Sequence, residues 1–285
     1  MKRNLGAYFE LLRIKDWRGY FFIATLGFLI SKGFLFPLKE IIIFYAIVFL
    51  FLSFGFLVND CFDIKEDKLD KSKKNHLILQ NINSKRRLIF PIFLGILGLS
   101  LSTLFGQKAF LLSLIAVILG FFYSVPPIRL KSRPILDLLS HGLFAGVMIF
   151  LFPIVVFSEQ LSLLHFLVTL SIFYFSIILE LRNHIEDYLT DKKAGLKTTV
   201  CALGLLNSEK LLRCLAFFYP FTFFPIFSLI NDFNSGKYPL LFLFLTLSFL
   251  FLFLFKKDYQ IVKNYKVLDI YANLSFVLLV ILMIR

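Results

Sequence analysis

Asn59, Asp60, Asp63 and Asp67 fall within ten residues, and Asn183, Asp187 and Asp191 repeat the spacing further along the chain. Asn59 matches Asn183, Asp63 matches Asp187, Asp67 matches Asp191 and Lys68 matches Lys192, each pair 124 positions apart (187 less 63, 191 less 67). The shared unit is N-x-x-x-D-x-x-x-D-K. On a helix, positions i, i+4 and i+8 drift slowly around the axis, so each copy aligns an amide and two carboxylates on one face. Like charges so placed repel unless something divalent and positive sits between them. Ligand sets made only of oxygen suit Mg²⁺.

The elements that must hold these residues are membrane helices. The chain is 59% hydrophobic with 39 Phe in 285 residues and a mean hydropathy of +0.82, more apolar surface than a water-soluble core can hide. Apolar runs occupy about 20–36, 41–58, 88–105, 109–123, 135–157, 161–180, 211–230, 238–255 and 267–284. The expected fold is an all-α integral membrane protein of nine transmembrane helices, one domain over 1–285. With nine spans, both acidic stretches emerge at the ends of the second and sixth helices, four helices apart. The chain therefore reads as two four-helix repeats plus one helix, with the charged loops 59–87 and 181–210 capping one mouth. Carboxylates at a helix C-terminus oppose the macrodipole, at roughly 0.3 to 1 kcal/mol each. Breaking that rule twice, in equivalent places, points to function rather than to a solvated surface.

Charge assigns the sides. With the N-terminus inside, 26 of the 31 Lys and Arg fall on the cytoplasmic face, leaving Lys32, Lys39, Lys108, Lys237 and Arg285 outside. This gives an N-in, C-out orientation, in a cytoplasmic (inner) membrane with the active site facing the cytoplasm. The net charge of +13 is a topology signal, aided by anionic headgroups, and nucleic acid is not an expected partner. No cleaved leader is expected, because residues 1–19 are amphipathic and charged, with Trp17 as an interfacial anchor. Cys61, Cys201 and Cys214 lack metal spacing and read as free thiols.

Four segments together carry a family resemblance. Asn59-Asp60-x-x-Asp63-x-x-x-Asp67 resembles the first aspartate motif of the UbiA-type intramembrane prenyltransferases, and Asp187-x-x-x-Asp191 their second. Tyr123-Ser124-Val125-Pro126-Pro127-Ile128-Arg129-Leu130-Lys131 is similar to their Y-S-x-P-P-x-x-L-K segment, and Leu12-Arg13 through Trp17 to their opening motif. Three departures stand out: Ile14 replaces a usual proline, His184 lies where several relatives carry aspartate, and Asn75-His76-Leu77 followed by Gln80 to Asn83 replaces the usual continuation of the first motif.

The resemblance implies Mg²⁺-dependent transfer of a prenyl group from a polyprenyl diphosphate donor to an aromatic or other membrane-associated, lipid-type acceptor in the bilayer. Breaking an allylic diphosphate ester requires the leaving charge to be neutralised, which metal ions between opposed carboxylates accomplish. Asp60, Asp63 and Asp67 would hold one ion, and Asp187 and Asp191 another; these five are the expected catalytic and metal residues. The expected substrate-binding set is Asn59, Arg13, Tyr123, Lys131, Asn183 and His184, with Lys131 and Arg13 clamping diphosphate. A dry pocket must then protect the allylic cation from water. Arg129 and Arg133 read equally as topology charges or as further basic groups at the diphosphate. Asp137 and His141, spaced i, i+4, read as a structural pair or as groups that help seat the acceptor; Glu180 either faces the cavity or marks the interface, and Glu159 and His165 read as structural.

Other classes fit less well. A CDP-alcohol phosphotransferase needs Gly after its second aspartate, whereas Ile64 follows Asp63. An EF-hand-like loop lacks its glycine and terminal glutamate. A secondary transporter using the acidic clusters as cation sites is the strongest alternative, since repeats and acids are its hallmarks, but its acids belong deep in broken helices rather than at helix ends.

Overall fold

The computed structural model describes residues 12–32, 37–69, 75, 87–158, 160–230, 238–257 and 266–283. His76, Gln80 to Asn83, Glu159, Lys237 and Arg285 lie outside the described residues. All regular structure among the described residues is helical. Five helices are long and apolar enough to cross a membrane: α2 (Leu38–Phe62), α5 (Gln107–Ser124), α6 (Leu136–Phe157), α7 (Leu163–Glu186) and α10 (Leu205–Ile230). Further apolar helices are α1 (Arg18–Lys32), α4 (Ile89–Ser102), α11 (Tyr238–Lys257) and α12 (Lys266–Met283). Three short helices complete the set: α3 (Ile64–Leu69), α8 (Tyr188–Ala194) and α9 (Thr199–Leu203).

Close approach between α1, α6 and α7 is built on small residues. A Cβ on Gly27 of α1 would meet Pro153 Cγ of α6 at 2.8 Å, and one on Gly142 of α6 would meet Phe173 Cε2 of α7 at 2.7 Å. In a bilayer, where water provides no drive between helices, such backbone proximity and packing hold a bundle together. A π-helical turn, Gly142–Val147, interrupts α6 directly after His141, and Pro153 sits further along the same rod. Turns of this kind re-aim side chains and recur at functional sites.

Phe242, Phe249 and Phe253 of α11 are exposed. Phe44, Phe150, Phe223 and Phe244 are fully buried, the last two 5.9 Å apart between ring centroids. Ser162 and His165 form a reciprocal cap that starts α7, so His165 is structural as expected.

The two acidic stretches do not lie on continuous helices. α2 stops at Phe62 and α3 begins at Ile64, with Asp63 as the joint; α7 stops at Glu186 and α8 begins at Tyr188, with Asp187 as the joint. The repeat is nevertheless kept in the backbone. Asp63 and Asp187 N–H groups donate to the carbonyls of Asn59 (3.0 Å) and Asn183 (2.9 Å), and Asp67 and Asp191 N–H groups to those of Asp63 and Asp187 (both 2.8 Å). The short helices α3 and α8 pack against each other, which folds the two stretches over one opening. Gly195, at φ 76°, ends α8 in the left-handed conformation that costs glycine least.

Candidate active site

One cavity of about 480 Å³ gathers most of the expected residues. Its mouth is lined by Arg13, Asn59, Asp63, Asp67, Lys131, Asn183, Asp187 and Asp191, so the two repeats face a shared space. Below them lie Tyr20, Tyr123, His141, Glu180 and His184, and deeper still an apolar wall that includes Phe51, Leu112, Phe144 and Phe152. A charged mouth above a greasy shaft suits a ligand with an anionic head and a hydrocarbon tail.

At the mouth, cations already meet the carboxylates. Lys131 Nζ pairs with Asp63 Oδ1 and donates to Asn59 Oδ1 at 3.0 Å, which also accepts from Ser124 Oγ at 3.0 Å. Arg129 Nη2 donates to Glu66 Oε1 at 2.7 Å and lies 3.3 Å from Asp63 Oδ1. Arg129 therefore belongs to the site and is more than a topology charge. Glu66 joins it without having been expected there; its place in the acidic stretch was the available signal. Arg13 and Arg129 hold φ of 52° and 38°, two of the three non-glycine residues with positive φ among those described. Left-handed backbone costs a side-chain-bearing residue about 1 to 2 kcal/mol, which the surrounding contacts must offset.

Asp60 is placed differently from expectation. Its side chain is 2% exposed, does not line the cavity and accepts from Arg13 Nη1 at 2.8 Å. At about 100° of rotation per residue, Asp60 is turned away from the Asn59 face towards the segment that carries Arg13. It therefore braces Arg13 through Oδ1, while its Oδ2 is buried without a hydrogen-bond partner. Arg13 also donates through Nε to Asp16 Oδ2 at 2.7 Å. Burial alone would lower the Arg13 pKa; the Asp60 and Asp16 carboxylates outweigh it and raise the value above the ordinary one, so the guanidinium stays charged. Asn75 ties the first stretch together by donating to the Asp60 carbonyl at 2.9 Å and to Asp67 Oδ2 at 2.7 Å.

The middle layer is a buried polar network. Glu180 Oε1 accepts from the Tyr123 hydroxyl and lies 3.1 Å from His184 Nε2, while Oε2 accepts from Asn183 Nδ2 at 3.2 Å and lies 3.5 Å from His141 Nε2. His184 Nδ1 lies 3.1 Å from Asp137 Oδ2. Asp137 in turn accepts from the Thr199 backbone N–H at 2.6 Å, from the Thr199 hydroxyl and from the Leu138 N–H at 2.8 Å. The expected Asp137–His141 pair is thus replaced by Asp137–His184 and Glu180–His141. Tyr123, expected to reach diphosphate, spends its hydroxyl on Glu180, and His184 is held between two carboxylates.

Among the described residues, no three His, Cys, Asp or Glu side chains stand close enough to enclose a metal ion. The donor chemistry nonetheless fits Mg²⁺. Asp63 and Asp67 on one side and Asp187 and Asp191 on the other offer only oxygen, and Mg²⁺ keeps several waters and takes phosphate oxygens, so few protein ligands are needed.

The UbiA prenyltransferase family model matches residues 20–277. This chain belongs to that family. It is accordingly a prenyltransferase, as expected from the paired motifs. It is 29% identical over 231 residues to a digeranylgeranylglyceryl phosphate synthase of Saccharolobus solfataricus, covering 80% of each chain. It is 30% identical over 236 residues to one of Methanococcus maripaludis, covering 80% of this chain and 82% of that one. Its fold matches a UbiA homologue from Archaeoglobus fulgidus solved with GPP and Mg²⁺, with a TM-score of 0.74, 21% identity and 96% of both chains covered. None of these relatives supports the transporter alternative.

Proposed function

We propose that this UbiA-family enzyme transfers a geranylgeranyl group from its diphosphate to a hydroxyl of a glyceryl phosphate lipid that already carries one such group, with Mg²⁺ as cofactor. The observation that carries this reading is the cavity itself, in which opposed aspartates from two repeats stand over an apolar shaft. The names of the sequence relatives favour the glyceryl phosphate acceptor over an aromatic ring. Asp63 and Asp67 face Asp187 and Asp191 across the mouth and would hold Mg²⁺, which supplies charge neutralisation for the departing diphosphate.

The chain's own residues do the rest. Lys131, 7% exposed and anchored on Asn59 and Asp63, and Arg13, braced by Asp60 and Asp16, present positive charge to the phosphate oxygens. Arg129 holds Asp63 and Glu66 in place. Asn183 and His184 orient Glu180 rather than touching the donor. The apolar shaft receives the isoprenoid tail and excludes water from the allylic cation. Nine spans, an N-in orientation and a cytoplasmic mouth complete the reading, supported by the distribution of Lys and Arg.

Purified protein in lipid nanodiscs is supplied with geranylgeranyl diphosphate, Mg²⁺ and either geranylgeranylglyceryl phosphate or 4-hydroxybenzoate. Mass spectrometry should find a second ether-linked chain on the glyceryl phosphate. Prenylation of the benzoate alone, or no consumption of donor, would reject the proposal.

A further inference from the structure

The boundary between the charged mouth and the apolar shaft is where the reacting carbon of a prenyl diphosphate must lie, because its head belongs above and its tail below. Four side chains of the buried network line the cavity at that level: Tyr123, His141, Glu180 and His184. Three of them already face charged or polar neighbours. The Tyr123 hydroxyl donates to Glu180, His184 Nε2 lies 3.1 Å from Glu180 while its Nδ1 lies 3.1 Å from the Asp137 carboxylate without a hydrogen bond between them, and each Glu180 oxygen has two neighbours. His141 is 6% exposed, and only its Nε2 is engaged, 3.5 Å from Glu180 and 3.4 Å from the Tyr20 hydroxyl. Its Nδ1 is buried and has no hydrogen-bond partner. In the tautomer with the proton on Nε2, facing Glu180 and with the Tyr20 hydroxyl oxygen accepting, Nδ1 carries a lone pair. The ring also stands 5.6 Å from Phe144 and 6.2 Å from Tyr123 between centroids, which fixes its plane.

We propose that His141 is a catalytic residue, the general base for the acceptor hydroxyl, with Glu180 as its positioning residue. This deepens the functional reading above and rests on it. As the C1–O bond to diphosphate breaks, its electron pair leaves with the diphosphate. The acceptor oxygen bonds to C1, its O–H bond breaks, and the proton passes to Nδ1 of His141. The resulting imidazolium is stabilised by Glu180 and later releases the proton to water. An aliphatic hydroxyl needs this help because it does not ionise near neutral pH, and positioned bases contribute about 10² to 10⁴ in rate.

The test compares two acceptors, geranylgeranylglyceryl phosphate and an analogue whose accepting hydroxyl is replaced by a thiol. A thiol, with a pKa of about 8.5, supplies its own anion. In His141→Gln and His141→Asn, turnover of the hydroxyl acceptor should fall about 100-fold or more, and turnover of the thiol by less than about 5-fold. Retained thiol turnover also shows that the variant is folded and binds donor. Glu180→Gln should shift the ratio in the same direction by a smaller factor. Wild-type protein inactive on the hydroxyl acceptor would overturn the functional reading and this role with it. Active wild type with equal losses on both acceptors in the variants, or no loss on either, would overturn the role of His141 alone.

Discussion

Lys131 and Asp63 offer a sharp measure of how the mouth is held before substrate arrives. Their side chains are 9% and 14% exposed, and the ammonium pairs directly with the carboxylate. At an effective dielectric of about 20, unit charges 4 Å apart attract by about 4 kcal/mol. Competing partners and an open cavity reduce this, since Asp63 also meets Arg129 and Lys131 also meets Asn59. A coupling free energy of about 2 kcal/mol is therefore expected, within the usual range for residues in contact. Asp63→Asn leaves Lys131 nearly buried with only a neutral oxygen, and should destabilise the metal-free protein by about 2 to 3 kcal/mol. Lys131→Met removes the cation but leaves Arg129 beside Asp63, and should cost about 1 to 2 kcal/mol. In the double variant the penalties should not add. The assay is a double-mutant cycle of denaturant or thermal unfolding in detergent, without Mg²⁺. Additivity within about 0.5 kcal/mol would refute the view that these charges are coupled in the free enzyme.

Removal of divalent metal with a chelator should abolish diphosphate release from geranylgeranyl diphosphate, and Mg²⁺ should restore it; release that persists in the chelator, measured as free diphosphate, counts against the metal reading. Asp187→Asn should lower that release at least about 10²-fold, because the effect lies on leaving-group charge. Arg13→Lys should raise KM for the donor, since one ammonium cannot reproduce the two contacts Arg13 makes to Asp16 and Asp60. Gly142→Leu should destabilise the protein by about 1 to 3 kcal/mol, because a Cβ there already meets Phe173 at 2.7 Å; an unchanged melting curve would show that α6 and α7 can separate at no cost.

Much of this site could be read from spacing. The duplicated N-x-x-x-D-x-x-x-D-K unit marks both helix ends, and the family resemblance places Lys131 beside them. What spacing could not supply were partners distant in sequence. Asp137 and His141 are four residues apart on one helix, yet Asp137 is claimed by Thr199, 62 residues away, and by His184. Asp60 is one residue from Asn59, but the helix turns it to Arg13, 47 residues earlier. Arg129 offers two readings from sequence, a topology charge or a group at the diphosphate, and neither names Glu66 and Asp63 as its partners. The helix breaks at Asp63 and Asp187 were equally hidden, since neither is a proline or glycine and the break follows from α3 and α8 packing together.

Those breaks reconcile the repeat with the chemistry. On two continuous helices, Asp67 and Asp191 would have continued along their axes, away from the opening and from each other. Because the chain bends at Asp63 and Asp187 while keeping the i to i−4 backbone bonds through the joints, α3 and α8 fold together and bring Asp67 and Asp191 back to line the same cavity as Asp63 and Asp187. The bend also gives a carboxylate near a helix C-terminus an alternative to the unfavourable end of the macrodipole. Asp67 and Asp191 fall in the first turns of α3 and α8, where negative charge is favoured. The repeated unit thus encodes a turn as much as a ligand set, and a straightened second copy would carry Asp191 away from the mouth and leave Asp187 there alone.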